Sequence, residues 1–432
     1  MRYSLAYGRS GLELDLPDSW DITVLRRKPM PVIADPRSGI ETALDHPIGC
    51  RKLTDEAAGR RTACILICDI TRPVPHGLIL RPVIEELLSA GLQPEGITVL
   101  VATGLHRPNE GRELETLIGD PWVTAHARAE NHFARRDEDH VLLGTTSRGI
   151  PVRLDRRFVS ADLKVVVGLV EPHFMAGWSG GRKLLVPGIA HAETITAFHS
   201  AQMLENDHAA AGILSGNPLH DTQSEAVRMA GRVLAVSVVT DAERALAYAS
   251  FGEVQVGLAA AVTFAERYAV VPVERRFPVV VSTGAGWPLD ATYYKTVKGI
   301  CTGASILEEG GTLLVASECA EGFGSNDFRH AQERMIQEGP RQFRAGAAER
   351  AHADIDEWQT LMLARSLQVG PVHLLAGGLA PQDQLLTGAV PEGDLRAALG
   401  AAVSRSRGGR LAVIPEGPYV LPRIAAEREE AP

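Results

Sequence analysis

Nine short apolar runs recur along the chain, at 21 to 25, 62 to 68, 97 to 102, 163 to 169, 233 to 239, 278 to 283, 311 to 316, 371 to 376 and 411 to 415, and helical patterns fall between most of them. Runs of this length read as buried strands, because a strand covered on both faces has no polar side to show. Strands alternating with helices predict an α/β architecture with mainly parallel sheets, since a parallel neighbour is reached through a crossover connection. In such sheets ligands collect beyond the carboxyl ends of the strands.

A chain of 432 residues exceeds one ordinary core, so two α/β domains are expected. Prolines and charges at Val271-Pro-Val-Glu-Arg-Arg-Phe-Pro278 precede a fresh strand and put the boundary there, giving domains of residues 1–272 and 273–432. A composition that is 45% hydrophobic and 22% charged fits a soluble globular protein, and a net charge of −9 argues against a general nucleic-acid surface. No stretch approaches the length needed to span a bilayer, and Met1 to Gly8 contains no uninterrupted apolar segment of the signal-peptide kind, so a cytoplasmic location is expected. Five cysteines, Cys50, Cys64, Cys68, Cys301 and Cys319, form no C-x-x-C pair; reduced thiols fit better than a disulfide or a zinc site. The Ala/Arg/Glu-rich tracts around 344 to 353 and 423 to 432 read as a solvated helix and a frayed tail.

Chemistry-bearing residues gather where strand-like runs end. After 163 to 169 come His173, the turn Ser179-Gly180-Gly181, and Arg182-Lys183, with His199 a little further on. A tight turn beside a solvated Arg182–Lys183 pair is the plainer alternative. After 62 to 68 come Asp69 and Arg72, ahead of a Pro-x-Pro stretch that cannot continue a ladder. A guanidinium there can grip a carboxylate or phosphate, or form a salt bridge to Asp69. After 97 to 101 comes His106, followed by a helix whose apolar positions are Leu114, Leu117 and Ile118. In the second half, Lys295 and Lys298 lie on one side of an expected helix start beside Tyr293 and Tyr294; Gly284 and Gly286 ahead of it suit an anion cradle, with a solvated basic face as the alternative. His126, His132 and His140 are too irregularly spaced to form a metal site. Ser179 lacks a Gly-x-Ser-x-Gly elbow, which argues against a serine hydrolase.

Taken in order, Asp-Ile-Thr-Arg-Pro, Thr-Gly-Leu-His-Arg-Pro, Glu-Pro-His-x-x-Ala-Gly-Trp-Ser-Gly-Gly-Arg-Lys-x-x-x-Pro-Gly and Tyr-Tyr-Lys-x-x-Lys-Gly resemble the nickel-dependent lactate racemase family. The resemblance runs from about residue 60 to the closing Ile414-Pro-Glu-Gly-Pro-Tyr-Val-Leu-Pro. It implies a two-domain α/β enzyme holding a nickel-pincer nucleotide, a pyridinium-3-thioamide-5-thiocarboxylic acid mononucleotide, in an interdomain cleft. By that likeness Lys183 is the covalent attachment point, Asp69, Ser179, Gly180 and Gly181 adjoin the cofactor, and His199 ligates nickel. His106 and His173 become the paired acid and base, while Arg72, Tyr294, Lys295, Lys298 and Trp358 face the substrate. The partners implied are a small 2-hydroxy acid and the proteins that synthesise the cofactor; the oligomeric state stays open.

The implied chemistry suits these residue types. The C2 proton of a 2-hydroxy acid is very weakly acidic, whereas removing it as hydride while a base takes the hydroxyl proton leaves a planar 2-keto acid that can be reduced from either face. The hydroxyl lies on opposite sides in the two enantiomers, so two imidazoles that titrate near neutrality are required. One protein histidine suffices for nickel when the pincer brings most donors. A protein that only bound or stored the nucleotide would need neither His106 nor His173. The chain departs from the family where Lys295 replaces a customary glutamine, which favours a larger 2-hydroxy acid, such as a dicarboxylate or sugar acid, as the alternative to lactate.

Overall fold

A computed structural model describes residues 1–406 and 409–425. Residues 426 to 432 of the C-terminal tract lie outside them. The chain forms two units: one comprises Pro29–Phe198 and Ile213–Arg267, the other Met1–Lys28, His199–Gly212 and the segment from Tyr268 onward. Two segments from before residue 272 thus belong with the C-terminal half. The strand Asp21–Val24 does so by pairing in parallel with Arg410–Val413, a neighbour far away in sequence.

All nine apolar runs are strands of two six-stranded sheets. The first unit has the order Leu246–Glu253, Leu234–Thr240, Leu163–Leu169, Ala63–Cys68, Ile97–Ala102, Arg128–Asn131, parallel except for the antiparallel edge strand Leu246–Glu253. Its central strand reads Ala-Cys-Ile-Leu-Ile-Cys, apolar at every position, and Ile65 and Ile67 pack with Val99, Val101, Val165 and Val167 in the core below the helix His76–Ser89. The chain passes from Ala63–Cys68 to Ile97–Ala102 on one side and later returns to Leu163–Leu169 on the other. That reversal makes the boundary between Ala63–Cys68 and Leu163–Leu169 a topological switch point, where α/β sheets place ligands beyond the carboxyl ends of the strands.

The second unit's sheet has the order Val390–Pro391, Val372–Leu375, Leu307–Ala316, Phe277–Thr283, Arg410–Val413, Asp21–Val24, parallel throughout. Tyr293–Ala304 is the expected helix, capped by the Thr292 side chain, which accepts from the Lys295 amide. Among the described residues no helix is long and apolar enough to cross a membrane, and the five cysteines are free.

Candidate active site

The loop after Ala63–Cys68 begins with Asp69, which is 5% exposed. Its Oδ1 accepts from the Thr71 amide at 3.2 Å and the Thr71 hydroxyl at 2.5 Å, and its Oδ2 faces His106 Nδ1 at 2.6 Å. Burial alone would push this carboxyl upward, but the hydrogen bonds from His106 and Thr71 and the positive charge of Arg72 outweigh it and hold it below the ordinary carboxylate range. An ionised Asp69 keeps the proton of a neutral His106 on Nδ1. The His106 Nε2 lone pair then belongs to a side chain that is more than half exposed, the arrangement of a general base oriented by a carboxylate.

Asn109 links the two loops that make this pair: its side-chain oxygen accepts from the Ile70 amide and its own amide donates to Asn131 Oδ1. Nothing in the sequence singled it out. Arg72 pairs with Glu171 on the loop after Leu163–Leu169, where a bridge to Asp69 was the sequence alternative. Glu171 was missed as well, because one acid in a loop gives no signal until its partner is placed beside it.

The third loop folds back as a hairpin, with Pro172 paired to Trp178 and His173 to Gly177. His173 is buried; its Nδ1 accepts from the Met175 amide at 3.4 Å and the Ala176 amide at 3.2 Å, and its Nε2 lies 2.8 Å from Lys183 Nζ. Ser179 is buried, donates to the Leu169 carbonyl at 2.7 Å and accepts from the Glu171 amide at 2.9 Å, so its hydroxyl closes the loop onto the strand end. Gly180 has φ +135°, and a Cβ at Gly181 would sit 2.5 Å from Val166 Cγ2. From this close approach starts the short helix Gly181–Leu185 that bears Lys183. Arg182 is 1% exposed, so Arg182 and Lys183 are no solvated pair.

The remaining expected residues lie in the other unit. His199 is buried and stacks on Trp358, with ring centroids 4.5 Å apart. Trp358 Nε1 donates to the Tyr294 hydroxyl at 3.3 Å, and Gln359 Nε2 donates to the Tyr294 carbonyl at 2.5 Å. Tyr294, Lys295 and Lys298 occupy the first turns of Tyr293–Ala304, and the Tyr294 phenol joins this helix to the Trp358 indole and, through it, to the His199 imidazole. Lys295 Nζ donates to the Pro288 carbonyl at 3.1 Å. Asp290 instead accepts from the backbone amides of Gly8 and Glu318, and a Cβ at Gly284 would meet Asp290 Cβ at 2.7 Å. A carboxylate therefore fills the turn in which an anion cradle was conceivable.

Comparison with known proteins shows the family to which the chain belongs. A family model described as the lactate racemase N-terminal domain matches residues 7–212, and one described as the lactate racemase C-terminal domain matches residues 274–421. The chain is 31% identical to a lactate racemase of Thermoanaerobacterium thermosaccharolyticum over 97% of its own length and 98% of the relative's. It is also 31% identical to a lactate racemase of Lactiplantibacillus plantarum, covering 76% of this chain and 77% of that one. The solved lactate racemase apoprotein of T. thermosaccharolyticum superposes with a TM-score of 0.90 at 30% identity, covering 98% of this chain and all of that one. A Thermotoga maritima protein with a TM-score of 0.63 and 18% identity shares the fold.

Proposed function

Because this chain belongs to the lactate racemase family, we propose that it inverts the C2 centre of a 2-hydroxy acid with a nickel-pincer nucleotide attached to Lys183. It is an isomerase. The observation that carries the reading is the pair of differently held imidazoles after the two strands that flank Ala63–Cys68, His106 on Asp69 and His173 on backbone amides.

The residues present fit the cofactor. Lys183 offers an amine in contact with His173, and His199 offers an imidazole, a donor suited to a metal whose other donors come from an organic carrier. When bound, that group supplies an electrophilic pyridinium carbon able to take hydride from C2 and return it. The chain's part is proton movement and charge: His106, oriented by Asp69, takes the hydroxyl proton of one enantiomer and His173 supplies a proton on the opposite side. Arg72 and Lys298 supply positive charge for the substrate carboxylate. Asp69, Ser179, Gly180 and Gly181 shape the loops that present these groups, and Trp358 and Tyr294 form an apolar, hydrogen-bonded wall.

Lys295 favours a second reading for the substrate. Among the described residues no carboxylate pairs with its ammonium, and a dicarboxylate or sugar acid gains from such a charge where the methyl group of lactate does not. The test is inversion of a substrate deuterated at C2 by cofactor-loaded protein. Hydride transfer predicts a slowed reaction whose product keeps its deuterium; loss of deuterium to water would point to proton abstraction and refute the proposal.

A further inference from the structure

His173 Nδ1 receives two backbone N–H groups, so it carries no proton, and a neutral ring must bear its proton on Nε2. Nε2 faces Lys183 Nζ at 2.8 Å. A donor on the imidazole side requires a lone pair on the lysine side. The opposite arrangement, an ammonium donating to Nε2, needs the ring proton on Nδ1, where it would oppose the amides of Met175 and Ala176.

Arg182 lies against the turn that carries those amides. Its Nη2 donates to the carbonyls of Ala176 at 3.3 Å and Trp178 at 3.0 Å, while Nε and Nη1 are buried without a hydrogen-bond partner and no acid among the described residues pairs with the group. Burial with no anion nearby pushes the guanidinium down to about 9. Its polar contacts all go to the hairpin turn, so the residue is there for the turn. Ala176 connects the two networks, its carbonyl to Arg182 and its amide to His173. From the other side Asn217 Nδ2 donates to the Met175 carbonyl at 2.9 Å, and a Cβ on Gly177 would fall 2.0 Å from the Ile213 carbonyl oxygen, so the turn has no slack.

We propose that Arg182 is a positioning residue that fixes His173 as the Nε2–H tautomer, and that His173 thereby holds the Lys183 amine unprotonated and nucleophilic before any cofactor is attached. The inference rests on Lys183 as the attachment point, and gives that lysine a built-in route to its reactive form.

The experiment uses the full chain without cofactor at pH 7.5. Histidine-labelled ¹⁵N NMR, with His173→Asn to assign the signal, reads the tautomer, and brief exposure to cyanate followed by peptide mapping reads the rate at each of Lys28, Lys52, Lys164, Lys183, Lys295 and Lys298. An ordinary lysine is only about one part in a thousand neutral at this pH. The expected result is an Nε2–H His173 and carbamylation of Lys183 at least about tenfold faster than of exposed Lys28. Arg182→Gln should shift the ring toward Nδ1–H and cut the Lys183 advantage about tenfold, with Arg182→Lys in between. An Nδ1–H tautomer in the parent, or a Lys183 no faster than Lys28, overturns the proposal; a folded Arg182→Gln that changes neither overturns the part assigned to Arg182. If Arg182→Gln does not fold, Arg182→Lys and the parent measurements decide. A slow Lys183 that nevertheless acquires the cofactor would sink this inference and spare the functional reading, and a fast Lys183 that never acquires it would do the reverse.

Discussion

Asp69→Asn isolates the oriented base. The carboxylate is 5% exposed and faces Thr71 and His106 through three contacts of 2.5 to 3.2 Å. Asparagine matches its shape but can turn an N–H toward His106 Nδ1, which moves the imidazole proton to Nε2 and removes the base. One hydrogen bond to a charged group contributes about 1.5–3 kcal/mol, so racemisation should slow about ten- to a hundredfold. The loss must be equal in both directions overall, because the equilibrium between enantiomers is unity. Initial rates from each enantiomer by chiral chromatography measure it. The same substitution should cost about 1–3 kcal/mol in urea unfolding at pH 7. Since the folded carboxyl lies below its ordinary value, its contribution is complete above the unfolded value of about 3.9 and fades as pH falls through the folded one. The gap between parent and variant should therefore close below about pH 4. A variant with parental rates from both enantiomers, or a gap that widens in acid, would refute the reasoning.

Three further outcomes are expected. Gly168→Ala places a Cβ 2.5 Å from the Gly181 nitrogen, so unfolding in urea should show a loss of about 1–3 kcal/mol and cofactor attachment should fall with it; parental stability would contradict that close approach. In single-turnover measurements, replacing His106 should slow mainly one enantiomer and replacing His173 mainly the other, whereas equal sensitivity of both enantiomers to both changes would count against opposed bases. Lys295→Gln should lower activity on malate or a sugar acid about ten- to a hundredfold relative to lactate, and an unchanged ranking would end the selectivity role of Lys295.

The interior strands were legible because a parallel strand buried on both faces must be apolar at nearly every position, as Ala63–Cys68 is. The edges were not. Arg128–Asn131 reads Arg-Ala-Glu-Asn, Leu246–Glu253 mixes small and polar residues, and Val390–Pro391 is two residues long, so each owes its conformation to a neighbour distant in sequence. Likewise Asp21–Val24 was visible as a strand, while its place beside Arg410–Val413 was not. Within the site, types and loop positions could be read: His106, His173 and Lys183 all follow strand ends. Pairings could not, since Glu171 against Arg72 and Asn109 between two loops depend on which strands are neighbours. Arg182 misled for the same reason, because Arg-Lys in sequence looks solvated until the hairpin is seen covering it.

The central claim is that Lys183 bears a nickel-containing organic group. Protein produced together with the cofactor-synthesis proteins should show an intact mass above that of the bare chain, an adduct mapped to the peptide containing Lys183, and about one nickel per chain by metal analysis. Lys183→Ala should lose the adduct, and His199→Ala should keep it while retaining less nickel. An active preparation without an adduct, or with the adduct on Lys164, would contradict the account.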